Sequence, residues 1–95
     1  QLVQYQNGKV TERSLFKNGL LDGISSKFSS KGILIEEVTY KRGKPNGFAK
    51  YFELNGNLKE TGVYEKGKRV GDWEYYVDGE LAPVKKINKF IKKGL

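Results

Sequence analysis

The sequence contains no cysteine, no histidine and no methionine, and only two prolines. Each gap closes a class of function. Without cysteine or histidine there is no thiol nucleophile, no Ser-His-Asp triad, no disulfide and no imidazole or thiolate ligand for zinc or haem. Carboxylates, lysines, tyrosines and hydroxyls remain for chemistry, with an oxygen-only Mg or Ca site formally open. No cofactor is expected. No apolar run approaches the ~20 residues of a membrane-spanning helix, and no signal peptide is visible. The chain begins at Gln1 rather than Met. Removal of an export signal fits that start, so an exported location (periplasmic, surface or secreted) is the expectation.

What is present points to one small domain. The chain has 95 residues, 18 Lys+Arg against 11 Asp+Glu, and a net charge of +7. It is 37% hydrophobic and 31% charged, which is polar for a globular domain. With 6 Tyr, 5 Phe and 1 Trp it is too aromatic for a disordered one. A thin, extended shape, which needs little pure core, reconciles the two.

Glycine carries the main pattern. Gly8, Gly32 and Gly56 lie 24 residues apart, as do Gly19, Gly43 and Gly67, and also Gly23, Gly47 and Gly71. Self-similarity at a fixed period marks a repeat architecture. Val10, Leu34 and Leu58 follow the same register, as do Phe16, Tyr40 and Tyr64, and Glu12, Glu36 and Glu60. The chain divides into a partial unit at 2–23, units at 24–47 and 48–71, and a degraded terminal unit at 72–95.

Each unit reads as two strands. The first is short and aromatic: Ile24–Ser29, Phe48–Glu53, Asp72–Val77. The second is longer: Lys9–Phe16, Ile33–Tyr40, Asn57–Tyr64, Glu80–Ile87. Asn7-Gly8, Lys31-Gly32, Asn55-Gly56 and Asp78-Gly79 separate them and are read as type I′ hairpin turns. The other connection is a G-x-x-x-G element, GLLDG, GKPNG and GKRVG, read as one tight reversal with Pro45 inside it. The expected fold is all-β: an elongated antiparallel meander of hairpins. Its C-terminal end is either an edge strand to about Ile87 or a short helix placing Val84, Ile87, Ile91 and Leu95 on one face.

These columns resemble the MORN-repeat family, and specifically its bacterial variant branch of exported 24-residue repeat and antitoxin-component-like proteins. The match is fullest over Tyr51, Asn55, Gly56, Leu58, Gly62, Tyr64, Gly67, Lys68, Gly71, Trp73 and Tyr75. Ser25 and Ala49 stand where that family often has Trp. The resemblance implies an elongated hairpin meander and varied binding or scaffolding roles. It implies no single activity.

Three features are candidates for function. Trp73, Tyr75, Tyr51, Tyr64 and Tyr40 could form a recognition face for a protein partner, because Tyr and Trp dominate interface hot spots. The competing reading is packing between units, with Trp73 as the preferred recognition residue. Lys17, Lys41, Arg42, Lys44, Lys66, Lys68 and Arg69 surround the three equivalent turns and could line an edge for anionic lipid or an acidic partner. Exposed turns are also simply polar, and edge lysines discourage aggregation. Lys85, Lys86, Lys89, Lys92 and Lys93 make residues 83–95 basic, so most of the net charge is a property of the tail. That tail either extends the anionic-surface site or caps the array. Nucleic acid is the weaker partner, since the 24-residue period argues against a closed OB-type barrel. Open strand edges leave self-association available. The Glu12/Glu36/Glu60 column is periodic, so its members share one environment. Acid–base pairs need environments that differ, and G-K-x-x-G lacks the spacing of a phosphate-binding loop. An enzyme is not expected.

Overall fold

Runs that alternate apolar and polar residues between glycine-bearing turns place successive side chains on opposite faces and pair as antiparallel hairpins. A computed structural model describes residues 2–6 and 9–82. Its strands are β1 (Leu2–Gln6), β2 (Lys9–Ser14), β3 (Phe16–Lys17), β4 (Leu20–Leu21), β5 (Gly23–Phe28), β6 (Leu34–Lys41), β7 (Lys44–Phe52), β8 (Leu58–Glu65), β9 (Lys68–Val77) and β10 (Glu80–Leu81). Eight of them form one open sheet in the order β1-β2-β5-β6-β7-β8-β9-β10, and β3 pairs with β4 as a small separate hairpin. All pairings are antiparallel. The fold is an all-β meander, as the sequence implies. The Lys-rich end, with Lys85, Lys86 and Lys89 and the strand-or-helix alternative, lies outside the described residues, as does the Asn7-Gly8 turn.

The two kinds of turn are exchanged relative to the sequence reading. Left-handed φ at both central residues occurs at Asn18-Gly19, Arg42-Gly43, Lys66-Gly67 and Asp78-Gly79, which is what a two-residue type I′ turn requires. Only Asp78-Gly79 belongs to the expected set. At Lys31-Gly32 and Asn55-Gly56 the glycine alone has positive φ. There the Gly56 N–H donates to the Glu53 carbonyl at 2.9 Å and the Glu53 N–H to the Asn57 carbonyl at 2.7 Å. This is a longer loop closed by a left-handed glycine, with the pairing slipping at Tyr51/Phe52.

The G-x-x-x-G element is not one reversal either. Its first glycine is in the turn, while Gly47 and Gly71 lie inside strands at positive φ. Between the Val38↔Ala49 and Tyr40↔Pro45 pairs, one residue of β6 faces three of β7, and the same slip recurs between β8 and β9. A left-handed residue absorbs the extra chain in such a bulge. Pro45 accordingly sits in β7 opposite Tyr40, not in the turn. Its carbonyl accepts the Gly67 N–H of the next turn at 2.8 Å, and the Leu21 carbonyl accepts the Gly43 N–H likewise. Successive turns are thereby stacked along one edge. Asp22 Oδ2 accepts the Arg42 N–H at 3.3 Å, and Asn46 Oδ1 accepts the Lys66 N–H at 2.9 Å.

The molecule measures 49 × 30 × 16 Å, the thickness of one sheet with its side chains. Among the described residues only Val38, Ala49 and Trp73 form a buried apolar core, with Tyr40, Tyr51 and Tyr64 packed against it.

Candidate functional site

Cross-strand pairing assembles one face of the sheet row by row. The central row runs Ser25↔Val38↔Ala49↔Gly62. Ser14 joins it through a 2.7 Å hydroxyl–hydroxyl bond to Ser25. Small residues in this row create a trough, and Trp73 lies in it. A Cβ on Gly62 would come within 2.2 Å of the Trp73 ring, so the indole rests directly on the Gly62 backbone. The indole N–H donates to the Val63 carbonyl at 3.2 Å, which satisfies the polar handle that a buried Trp must place.

A second row, Glu12↔Lys27↔Glu36↔Tyr51↔Glu60↔Tyr75, borders the trough. Tyr40 and Tyr64 flank its other side, opposite Gly23 and Gly47. The Tyr51 and Tyr64 hydroxyls are bonded at 2.9 Å. Tyr64 meets Trp73 edge to face at 5.2 Å between centroids, and Tyr51 stacks on it at 6.3 Å. The Arg69 guanidinium lies 4.0 Å above the Trp73 ring centroid. It also donates to Glu60 Oε2 at 2.7 Å. Lys27 pairs more loosely with Glu36, at 3.7 Å.

Burial, then the hydrogen bond its hydroxyl donates to the Tyr64 oxygen, pushes the Tyr51 hydroxyl well above the ordinary tyrosine range. Arg69 is driven the same way, chiefly by its hydrogen bond to Glu60. Both groups hold their neutral-pH charge states firmly: Tyr51 uncharged, Arg69 cationic. A shallow groove of about 350 Å³ opens beside Tyr51, between Glu36, Glu53, Leu54 and Glu60.

The structure thus brings Tyr40, Tyr51, Tyr64 and Trp73 together, with Tyr75 at the end of the adjoining row. Two expectations need correction. Trp73, the preferred recognition residue, is only 6% exposed, because an indole is the one side chain large enough to fill a trough floored by glycine. Arg69 does not belong to the basic ridge. It folds over the aromatic face, since Glu60 and the indole offer it both an ion pair and a π-face. Lys17, Lys41, Arg42, Lys44, Lys66 and Lys68 stay exposed on or beside the turns. Sequence reasoning put Arg69 on the turn ridge and gave Gly62 no site role, so neither was expected beside Trp73. Gly62 shares a strand face with Leu58, Glu60 and Tyr64, but which side chain fills the space above it depends on the register slip between β8 and β9.

No protein-family model, no curated protein and no solved structure matches this chain.

Proposed function

We propose that this chain is a non-enzymatic β-repeat interaction module, of the MORN-like kind its glycine columns resemble, which binds a protein partner through the face built on Trp73. The observation that carries this reading is the locked cluster of Arg69, Trp73, Tyr51, Tyr64 and Glu60. Tyr and Arg are the residues that interfaces use as anchors. Here they are immobilised before any partner arrives, which lowers the ordering cost of association. Tyr75, 41% exposed at the end of its row, is the most accessible aromatic of this face. Trp73 supports the platform from beneath. A scaffold or antitoxin-like role rests on the resemblance alone. Affinity capture from the native source, followed by binding of the purified partner, tests the proposal. Tyr75→Ala and Arg69→Ala, each shown folded by circular dichroism, should weaken binding at least tenfold. Unchanged binding by both variants removes the aromatic face from the function.

A second reading has its own observation. Hydrogen bonds stack the turns at Gly19, Gly43 and Gly67 along one edge, and Lys17, Lys41, Arg42, Lys44, Lys66 and Lys68 are exposed there. Such an edge suits an anionic membrane surface. Flotation with vesicles containing anionic lipid should then show binding that weakens as salt rises toward ~0.15 M, where the Debye length falls to about 8 Å. Failure to bind at low salt ends this reading.

A further inference from the structure

The face opposite the Trp73 cluster has a charge order that matches itself. Pairing across six strands places Arg13, Ser26, Glu37, Lys50, Thr61 and Glu74 side by side in one row. Their signs run plus, neutral, minus, plus, neutral, minus. Reversed end for end, the row becomes its own complement. Every cation then meets an anion, and each hydroxyl residue meets the other. Beside this row the same face carries Ile24, 49% exposed, and Phe48, 75% exposed. Together with Glu37, Thr39 and Lys50 they line an open depression of about 400 Å³. Among the described residues neither Arg13, Glu37 nor Lys50 takes part in a salt bridge.

We propose that this face is a homodimer interface, its occupant a second copy of the same chain. The two-fold axis lies between β6 and β7, tilted from the strand direction by about 15°, half the ~30° skew of aligned sheets. Glu37 of each copy then faces Lys50 of the other, Arg13 faces Glu74, and Ser26 faces Thr61. Phe48 meets Thr39, and Ile24 meets Val63, so the uncovered apolar side chains leave water together. This is the isologous geometry of a cyclic dimer, in which residue i contacts j and j contacts i. Aligned sheets pack face to face about 10 Å apart with strands about 30° askew. The skew moves residues near the axis least, so the Glu37–Lys50 pairs are the discriminating ones. The 49 × 30 Å breadth of the molecule exceeds the ~800 Å² per partner of a standard interface. Dimerisation leaves the Trp73 face and the basic turn edge outward, so it is independent of the proposed partner binding.

The test is charge exchange, read as mass by light scattering or sedimentation at ~100 µM full chain, where a ~10 µM dimer is mostly associated. The natural chain should have twice its 10.8 kDa mass. Lys50→Glu alone and Glu37→Lys alone should each be monomeric, with unchanged circular dichroism. Mixed in equal amounts, these two should associate, because each then offers the other only opposite charges at the axis. The double variant Glu37→Lys/Lys50→Glu should dimerise by itself. Lys27→Glu, on the opposite face, should leave the dimer intact. A monomeric natural chain, single variants that still dimerise, or two single variants that fail to associate on mixing would overturn the proposal.

Discussion

At Gly62 a side chain has nowhere to go. The site demands glycine for space rather than backbone freedom, because its φ is ordinary and the obstacle is the Trp73 ring. Gly62→Ala should destabilise the fold by about 2–3 kcal/mol, the upper part of the ~1–3 kcal/mol typical of forcing a group into a packed site, measured by urea denaturation. Trp73→Ala should cost about 3 kcal/mol or more. The two costs should not add. With the indole gone, the methyl at position 62 meets open space, so the double variant should resemble Trp73→Ala alone. Additive costs would mean that Trp73 does not rest on Gly62.

Tyr51 gives a residue-scale pH dependence. Its hydroxyl is raised above the ordinary tyrosine value by burial and by Tyr64. In the unfolded chain it ionises near pH 10. The folded state therefore holds this proton more tightly than the unfolded state does. The contribution to stability is complete below about pH 10 and is lost as pH rises toward the folded value. Denaturation midpoints followed from pH 8 to 11 should fall less for Tyr51→Phe than for the natural chain. An identical decline would remove Tyr51 as the cause.

Among elements, the turns show where sequence is legible and where it is not. Glycine spacing reveals that hairpins exist and roughly where they reverse, because few residues other than glycine tolerate positive φ. It does not reveal which glycine sits in the turn. Asn55-Gly56 carries the preferred type I′ dipeptide yet adopts the longer loop, whereas Arg42-Gly43 and Lys66-Gly67 make the two-residue turn with a cation at φ 50°. Bonds from outside each hairpin stabilise that choice: Asp22 and Asn46 accept the Arg42 and Lys66 N–H groups. Such contacts join residues 20 apart and leave no local sign. Two substitutions separate the contributions. No atom lies within 4 Å of a Cβ placed on Gly67, whose φ is +87°, so Gly67→Ala should cost about 1–2 kcal/mol from backbone strain alone. Lys66→Asn should stabilise by a few tenths of a kcal/mol, since Asn enters the left-handed region more readily. Thermal denaturation of both variants checks this. A neutral Gly67→Ala would show that the turn does not need a left-handed glycine.

At the scale of the whole molecule, the all-β meander was legible because strand alternation and hairpin turns are short-range signals. The aromatic cluster was legible only as a set of columns. Which tyrosines would touch, and that Arg69 would cover them, depends on pairing register and on the bulges at Gly47 and Gly71, which shift register without changing composition. The same open topology fixes how stability is distributed. Among the described residues each strand is hydrogen-bonded only to its neighbours in the sheet, and the sheet does not close. Val38 and Ala49, on β6 and β7, are 2% and 1% exposed, while Tyr5 on β1 is 65% exposed. Strands with few buried contacts open locally at low free-energy cost. Hydrogen exchange should therefore grade across the sheet. Amides of β6, β7 and β8 should exchange only on global unfolding, and those of β1 and β10 at least tenfold faster, a gap of about 1.4 kcal/mol or more. Val38→Ala should lower protection in the central strands far more than in β1. Uniform protection from β1 to β10 would instead mean that the sheet opens all at once, and that its ends draw on the buried centre as fully as the middle does.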